Sequence, residues 1–282
     1  MAIANASTDL FVALDVDLMP PPNGHEKLTH ILNRSGGVSL VEAIASHKTL
    51  FVLPAFEFTD KGRKPDTDEL PDETMDVVNL VERGELIRFK SKWHQRGHRN
   101  TDFRKWHAVA KSSGRGGIPS VTTPSFYFIE YEHSFEPYVL GWRPGMPRLA
   151  PEFRGWGKNK MSWFMELHCE GYTFAVLTDF FVVHLNHPDV HQSRKNLDED
   201  RNQPIWEQFT SELNEEYRAC SALHQYAWWD AFLDSFKLKF WTMRSLVRLT
   251  LVASTVGALY RFKRQLPSKP RRFSKPGISV GA

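Results

Sequence analysis

Leu10-Phe11-Val12-Ala13-Leu14-Asp15-Val16-Asp17 is the stretch that decides the fold of this 282-residue chain. Its first five residues are apolar and β-prone, and the polar turn Pro20-Pro21-Pro22-Asn23-Gly24 follows closely, so the segment reads as a buried strand running into a loop. The two aspartates close that strand. Residues two apart in an extended backbone point the same way, so Asp15 and Asp17 are expected to project together. A carboxylate after a buried strand is costly unless its charge is compensated. A divalent Mg²⁺ or Mn²⁺ takes one or two carboxylates and fills the rest of its shell with phosphate oxygens, which makes the pair a candidate metal site beside a nucleotide diphosphate. Asp66-Thr67-Asp68 and Asp198-Glu199-Asp200 repeat the acidic pattern in polar surroundings and read as solvated loops.

Working outward, Ser39 to Ser46 predicts a short helix and Thr49 to Phe58 one further buried strand. A Pro-, Asp- and Lys-rich loop spans Thr59 to Asp76, and Met75 to Glu85 resumes a helical pattern. Lys111 to Pro124 reads as a Gly-, Ser- and Pro-rich insertion, Phe126 to Glu132 as a strand, and Tyr138 to Trp142 as its partner. The turn Gly155-Trp156-Gly157 leads into a helix ending near Glu170, and Phe174 to His184 holds two short apolar strands. Gln203 to Ala219 predicts a surface helix opened by Pro204 in its first turn. Strands and helices intermixed in this way indicate an α/β architecture.

Hydrophobic residues at 41% and charged residues at 24% exclude wholesale disorder and allow a sizeable core. A net charge of +3 without a basic, aromatic-laced stripe argues against nucleic acid as a partner. Two cysteines, Cys169 and Cys220, are too few for a disulfide framework and leave one bridge open. No secretory signal is visible before Asp9, and the apolar run Leu249 to Tyr260 is shorter than the roughly 20 residues a bilayer span needs. Trp228 to Tyr260 is rich in Trp, Phe and Leu, and Arg261 to Lys275 carries seven basic residues and no acidic ones. The expectation is a core-packing helix followed by a solvated tail, with membrane-surface contact as the alternative. The resulting division is a domain over 1–220, a hydrophobic helical extension over 221–260 and a basic tail over 261–282.

Two further constellations bear on chemistry. His184 ends the apolar run Phe180-Phe181-Val182-Val183 as Asp17 follows its own strand, so Asp15, Asp17 and His184 would share one ion if the two strand ends meet. His187 and His191 follow, but Pro188 interrupts a helical zinc pattern. In Gly155-Trp156-Gly157-Lys158-Asn159-Lys160 the glycines permit close backbone approach and the helix start is expected to offer N–H groups to an anion. Lys158 and Lys160 add positive charge, and Trp156 could stack on a sugar or simply pack.

The apolar strand with Asp15-Val16-Asp17-Leu18-Met19-Pro20, then Pro54-Ala55-Phe56-Glu57, then Gly97-His98 with Thr101, Phe103, Lys105 and Trp106, resembles glycosyltransferase family 49, which contains LARGE-type and β-1,4-glucuronyltransferase enzymes. The likeness continues through Phe135-Glu136-Pro137-Tyr138-Val139, the turn at 155–160, Met165-Glu166-Leu167 and Phe181-Val182-Val183-His184, covering roughly residues 8 to 218 in order. The resemblance implies a partial GT-A-type mixed sheet flanked by helices, with a C-terminal helical extension. It also implies inverting transfer of glucuronic acid or a similar sugar from a UDP-sugar donor to a glycan acceptor, and Mn²⁺ (or Mg²⁺) dependence in the Golgi lumen. Asp15, Asp17 and His184 would then ligate the metal, Glu136 or Glu166 would deprotonate the acceptor, and Trp156, Gly157, Asn159 and Lys160 would face the donor. Only fourteen residues precede Asp15, so a uridine-binding half is expected to be lacking and donor binding to be weak. The runner-up is a non-catalytic carbohydrate-binding or scaffold protein. An aspartate-based phosphatase of the haloacid-dehalogenase type is weaker, because Met19 stands where that family has Thr or Val.

Overall fold

The computed structural model describes residues 3–33, 40–60, 69–91, 95–113, 126–187, 192–217 and 220. The first strand, β1 (Leu10–Ala13), is followed by β2 (Leu18–Met19), α1 (Gly24–Asn33), α2 (Leu40–Ser46), β3 (Thr49–Leu53) and β4 (Ala55–Phe58). Next come α3 (Thr74–Glu82), β5 (Leu86–Arg88), α4 (Gln95–His98), α5 (Phe103–Ser113), β6 (Phe126–Ile129) and β7 (Tyr138–Trp142). The last four elements are α6 (Asn159–Cys169), β8 (Thr173–Leu177), β9 (Val182–His184) and α7 (Gln192–Glu216). One sheet has the order β1-β7-β3-β8-β6 and a second the order β2-β9-β4-β5, both mixing parallel and antiparallel pairs. Two mixed sheets flanked by helices agree with a partial GT-A-like architecture.

The central strands are apolar at nearly every position because both faces of their sheet are covered. Leu50 and Val52 of β3, with Phe174 and Val176 of β8, join the cluster that contains Val77 and Val78 of α3, Trp106 of α5 and Leu167 of α6. The alternate residues Phe51, Leu53, Ala175 and Leu177 pack with Ile31 of α1 and Ile44 of α2. Such alternation is what a pleated strand imposes. The Trp106 indole N–H donates to the Leu177 carbonyl at 3.1 Å, which satisfies a buried polar group where α5 meets β8.

Four expectations need correction. The run Thr49 to Phe58 is two strands in different sheets, broken at Pro54, which has no N–H to give a ladder; the Pro54 carbonyl instead accepts the Val182 N–H at 2.9 Å. As a result β3–β4 and β8–β9 run side by side and cross from one sheet to the other together, with parallel pairing in each. Tyr138 to Trp142 does not pair with the strand at Phe126 but with β1 and β3, while β6 pairs with β8. The last helix starts at Gln192, and Pro204 lies inside it, so Asp198-Glu199-Asp200 is helical. The extension expected at 221–260, the basic tail at 261–282, the insertion beyond residue 113, Asp66 to Asp68 and His191 lie outside the described residues. Among the described residues no helix is long and apolar enough to cross a membrane.

Cys169 at the end of α6 forms a disulfide with Cys220, closing a sequence separation of 51 residues. Restricting so long a loop in the unfolded chain contributes about 2–4 kcal/mol. Cys220→Ser is therefore expected to lower stability by about that amount in denaturant unfolding followed by circular dichroism, with reductant having no further effect on the variant.

Candidate active site

Strand pairing creates the site. After β1 the chain reverses through a turn in which the Leu18 N–H donates to the Asp15 carbonyl at 3.1 Å, leaving Val16 fully exposed at its tip. Strand β2 then pairs antiparallel with β9, Leu18 opposite His184, and the Leu185 N–H donates to the Asp17 carbonyl at 2.8 Å. On its other side His184 lies opposite Glu57 of β4. This register sets the end of β9 beside the Asp17 backbone.

The aspartates lie in the turn and not on an extended strand, so the same-side expectation does not apply to them. Their carboxylates take different partners. Asp17 Oδ2 lies 3.2 Å from His184 Nε2 and 2.9 Å from His187 Nε2. One ligand atom from each of Asp17, His184 and His187 falls within 4.8 Å of the others. Asp15 Oδ2 accepts instead from Lys160 Nζ at 2.6 Å and from the Tyr138 hydroxyl at 2.9 Å. Pro188 argues against a helical histidine pair, which leaves His187 out of the expected ligand set, yet its spacing three residues after His184 is the available signal.

The donor set suits a divalent cation. Asp17 Oδ1 is buried and has no hydrogen-bond partner among the described residues, an arrangement that is costly for a carboxylate with no cation beside it. One carboxylate oxygen and two imidazoles form a donor set that divalent first-row metal ions accept. Burial holds His184 below the ordinary imidazole range, helped by neighbouring His187 and Lys90 and opposed by Asp17, which favours the neutral form that ligates metal. For Asp15, burial pushes the carboxyl up, but the Lys160 charge, the hydrogen bonds from Lys160 and Tyr138, and Lys90 together bring it below the usual value. Burial raises the Tyr138 phenol, and the Asp15 charge adds to this, so the phenol stays protonated as a donor.

Aromatic rings floor the cluster. Phe89, 4% exposed, lies 4.7 Å between ring centroids from His184, 5.3 Å from His98 and 6.0 Å from Tyr138. Lys90, which no local pattern marked, is pushed down first by burial and then by Lys160, and is pulled the other way by Glu136, Asp15 and Asp17. Glu136 therefore shares the electrostatic field of the site; its backbone N–H is fixed by the Gly97 carbonyl at 2.8 Å. Glu166 does not. Its carboxyl is raised by burial and by its carboxylate neighbours Glu170 and Glu216, toward the Cys169 end of α6.

The turn at 155–160 reaches the site through one side chain. Gly155 has φ +73°, and a Cβ there would lie 2.3 Å from Asp198 Oδ2, which accepts the Trp156 N–H at 2.9 Å. Asn202, 0% exposed, donates from Nδ2 to the carbonyls of Arg154, Trp156 and Gly157, each at 3.1 Å. The Asn159 N–H donates to the Gly157 carbonyl and the Lys160 N–H to the Asn159 side chain, so these two amides at the helix start are closed within the turn. Lys158 lies over the Trp206 ring, whereas Lys160 extends over Tyr138 to Asp15. Trp156 remains 47% exposed.

The family model described as "Glycosyl-transferase for dystroglycan" matches residues 1–218, so this chain belongs to that glycosyltransferase family. Among individual proteins it is 25% identical over 203 residues to glycosyltransferase-like protein gnt14 of Dictyostelium discoideum, covering 71% of this chain and 28% of that one. It is 27% identical over 221 residues to mouse xylosyl- and glucuronyltransferase LARGE2, covering 77% and 28%. To human xylosyl- and glucuronyltransferase LARGE1 it is 29% identical over 199 residues, covering 70% and 23%. The chain thus spans about a quarter of the length of these relatives.

Because Asn202 ties three carbonyls together, Asn202→Ala is expected to cost about 2–3 kcal/mol in denaturant unfolding. Gly155→Ala meets both a backbone strain and the Asp198 carboxylate, and is expected to lower the thermal midpoint as well.

Proposed function

We propose that this chain is the metal-binding part of a glycosyltransferase that transfers glucuronic acid or a similar sugar from a UDP-sugar to a glycan acceptor with inversion. The observation that carries this reading is the convergence of Asp17, His184 and His187, with Asp15, Glu136 and two lysines around it, in a member of a glycosyltransferase family. The relatives named xylosyl- and glucuronyltransferases support the sugar class. An oxidising Golgi lumen accords with the Cys169–Cys220 disulfide.

Asp17, His184 and His187 would hold the metal, with Asp15 beside them. When bound, the ion would neutralise charge building on the leaving diphosphate. The remaining work falls to the chain's own groups. Glu136, not Glu166, is the base that takes the proton from the acceptor hydroxyl, since it alone of the two carboxylates acts on the site's charges. Donor contact falls to the Lys160 ammonium and the exposed Trp156 ring, with Gly157 and Asn159 shaping the turn that presents them.

One observation favours the binding-module alternative: Asp15 is already neutralised by Lys160 and Tyr138, so half of the acidic pair is stable without a cation. The two readings separate on metal and on turnover. Isothermal titration with Mn²⁺ is expected to show one site in the wild type and none in Asp17→Ala; equal affinity in both removes the metal-site reading. In UDP-glucuronate transfer assays, Glu136→Gln is expected to lower kcat by about 10²–10⁴ and Glu166→Gln by only a few-fold. Glycan binding that survives chelation, without any turnover, establishes the binding module instead.

A further inference from the structure

Lys90 follows β5 with a left-handed backbone, φ +52°, a conformation that a residue with a Cβ adopts at a cost. Its ammonium lies 5.0 Å from the centroid of the Phe89 ring, and the Lys160 ammonium lies 4.9 Å from that of Tyr138. Those two rings are themselves neighbours, with centroids 6.0 Å apart. Two cations therefore overlie adjoining rings of one aromatic floor, and that floor also carries His184, 4.7 Å from Phe89.

The two lysines differ in one respect. Lys160 is matched by Asp15 at 2.6 Å, whereas Lys90 makes no ion pair with a carboxylate among the described residues, although it is half-buried and lies in the field of three carboxylates. A half-buried ammonium without an ion-paired carboxylate among the described residues, on a strained backbone, is an unfavourable arrangement. With the imidazoles neutral, Asp15, Asp17 and Glu136 outweigh Lys90 and Lys160 by one negative charge, and a divalent cation reverses the sign. The loaded site then attracts an anion, and Lys90 is the cation whose donors are not already committed to a carboxylate.

We propose that Lys90 is an anion-binding residue of this site and engages an oxyanion of the incoming ligand, either a diphosphate oxygen of the donor or the carboxylate of a uronic acid. The assignment rests on the proposed metal site and adds a residue that helps to select anionic ligands. A lysine suits either partner, since three freely rotating donors on a flexible stem match a point charge.

The test uses the 282-residue chain as wild type, Lys90→Met and Lys90→Arg, with matched thermal midpoints verifying the fold. Each protein is titrated with Mn²⁺ alone and with preformed Mn²⁺–pyrophosphate, and the Mn²⁺-loaded protein is titrated with glucuronate. Lys90→Met is expected to bind Mn²⁺ alone at least as tightly as the wild type, because a repelling cation has gone. It is expected to lose about tenfold or more in affinity for one of the anions, with Lys90→Arg recovering most of the loss. Loss confined to pyrophosphate assigns the diphosphate, and loss confined to glucuronate assigns the sugar carboxylate. Wild-type affinity of Lys90→Met for both anions overturns the proposal, as do absence of anion binding in Mn²⁺-loaded wild type and equal loss of Mn²⁺ and anion binding in Lys90→Met. A wild type that binds no Mn²⁺ defeats the underlying metal-site reading instead.

Discussion

The pairing of a two-residue strand, β2, against the end of β9 is the constraint on which the rest depends. Leu18 opposite His184 fixes the turn at Asp15 to Asp17 against the strand that carries the imidazole, and the Leu185–Asp17 backbone hydrogen bond extends that contact by one residue. A slip of one residue would turn His184 to the other face of the sheet. The register is protected from both sides. Leu18, Phe180 and Val182 are buried in one apolar cluster, and Val183 in the other. Short strands alone would hold such a register weakly; the double crossover at Pro54 and Val182 anchors it in the larger sheet.

Charge compensation then divides the acidic pair. Asp15 is stabilised in its ionised form by Lys160 and Tyr138, while Asp17 faces two imidazoles and keeps one buried oxygen unpartnered. The division follows from the turn: with Leu18 bonded back to Asp15, the two side chains leave the backbone in different directions. Lys160 reaches Asp15 only because the glycine turn is held down by Asn202 and Asp198 of α7. These supporting residues precede the surface helix expected from Gln203, and Asp198 lies in a stretch expected to be a solvated loop, so part of the site's support reads as solvent-facing in the sequence.

Much of this was legible in the residues, for identifiable reasons. The runs at Thr49 and Phe174 announced buried strands because burial on both faces leaves no polar alternation to confuse with anything else, whereas the run at Leu10 is an edge strand with Val12 exposed. The meeting of Asp17 with His184 was expected from the placement of each beside an apolar run. Pairing was less legible: β7 was assigned to β6 by sequence proximity, whereas the structure places it between β1 and β3. Pro204 suggested a helix start, since nothing in one sequence says that the preceding turns are held by contacts with a distant loop. Lys90 carried no local signal, and Tyr138 stood in the block Phe135 to Val139 without a role of its own; their significance exists only once β5 and β7 are brought beside the turn at Asp15.

The central claim is that β-pairing assembles a cation site from Asp17, His184 and His187. Anomalous diffraction from crystals of this chain grown with Mn²⁺ tests it most directly. The account predicts a single strong peak within coordination distance of Asp17 Oδ2, His184 Nε2 and His187 Nε2. Crystals saturated with Mn²⁺ that show no peak between these three side chains, with the Asp17–His184 contact intact, would contradict it.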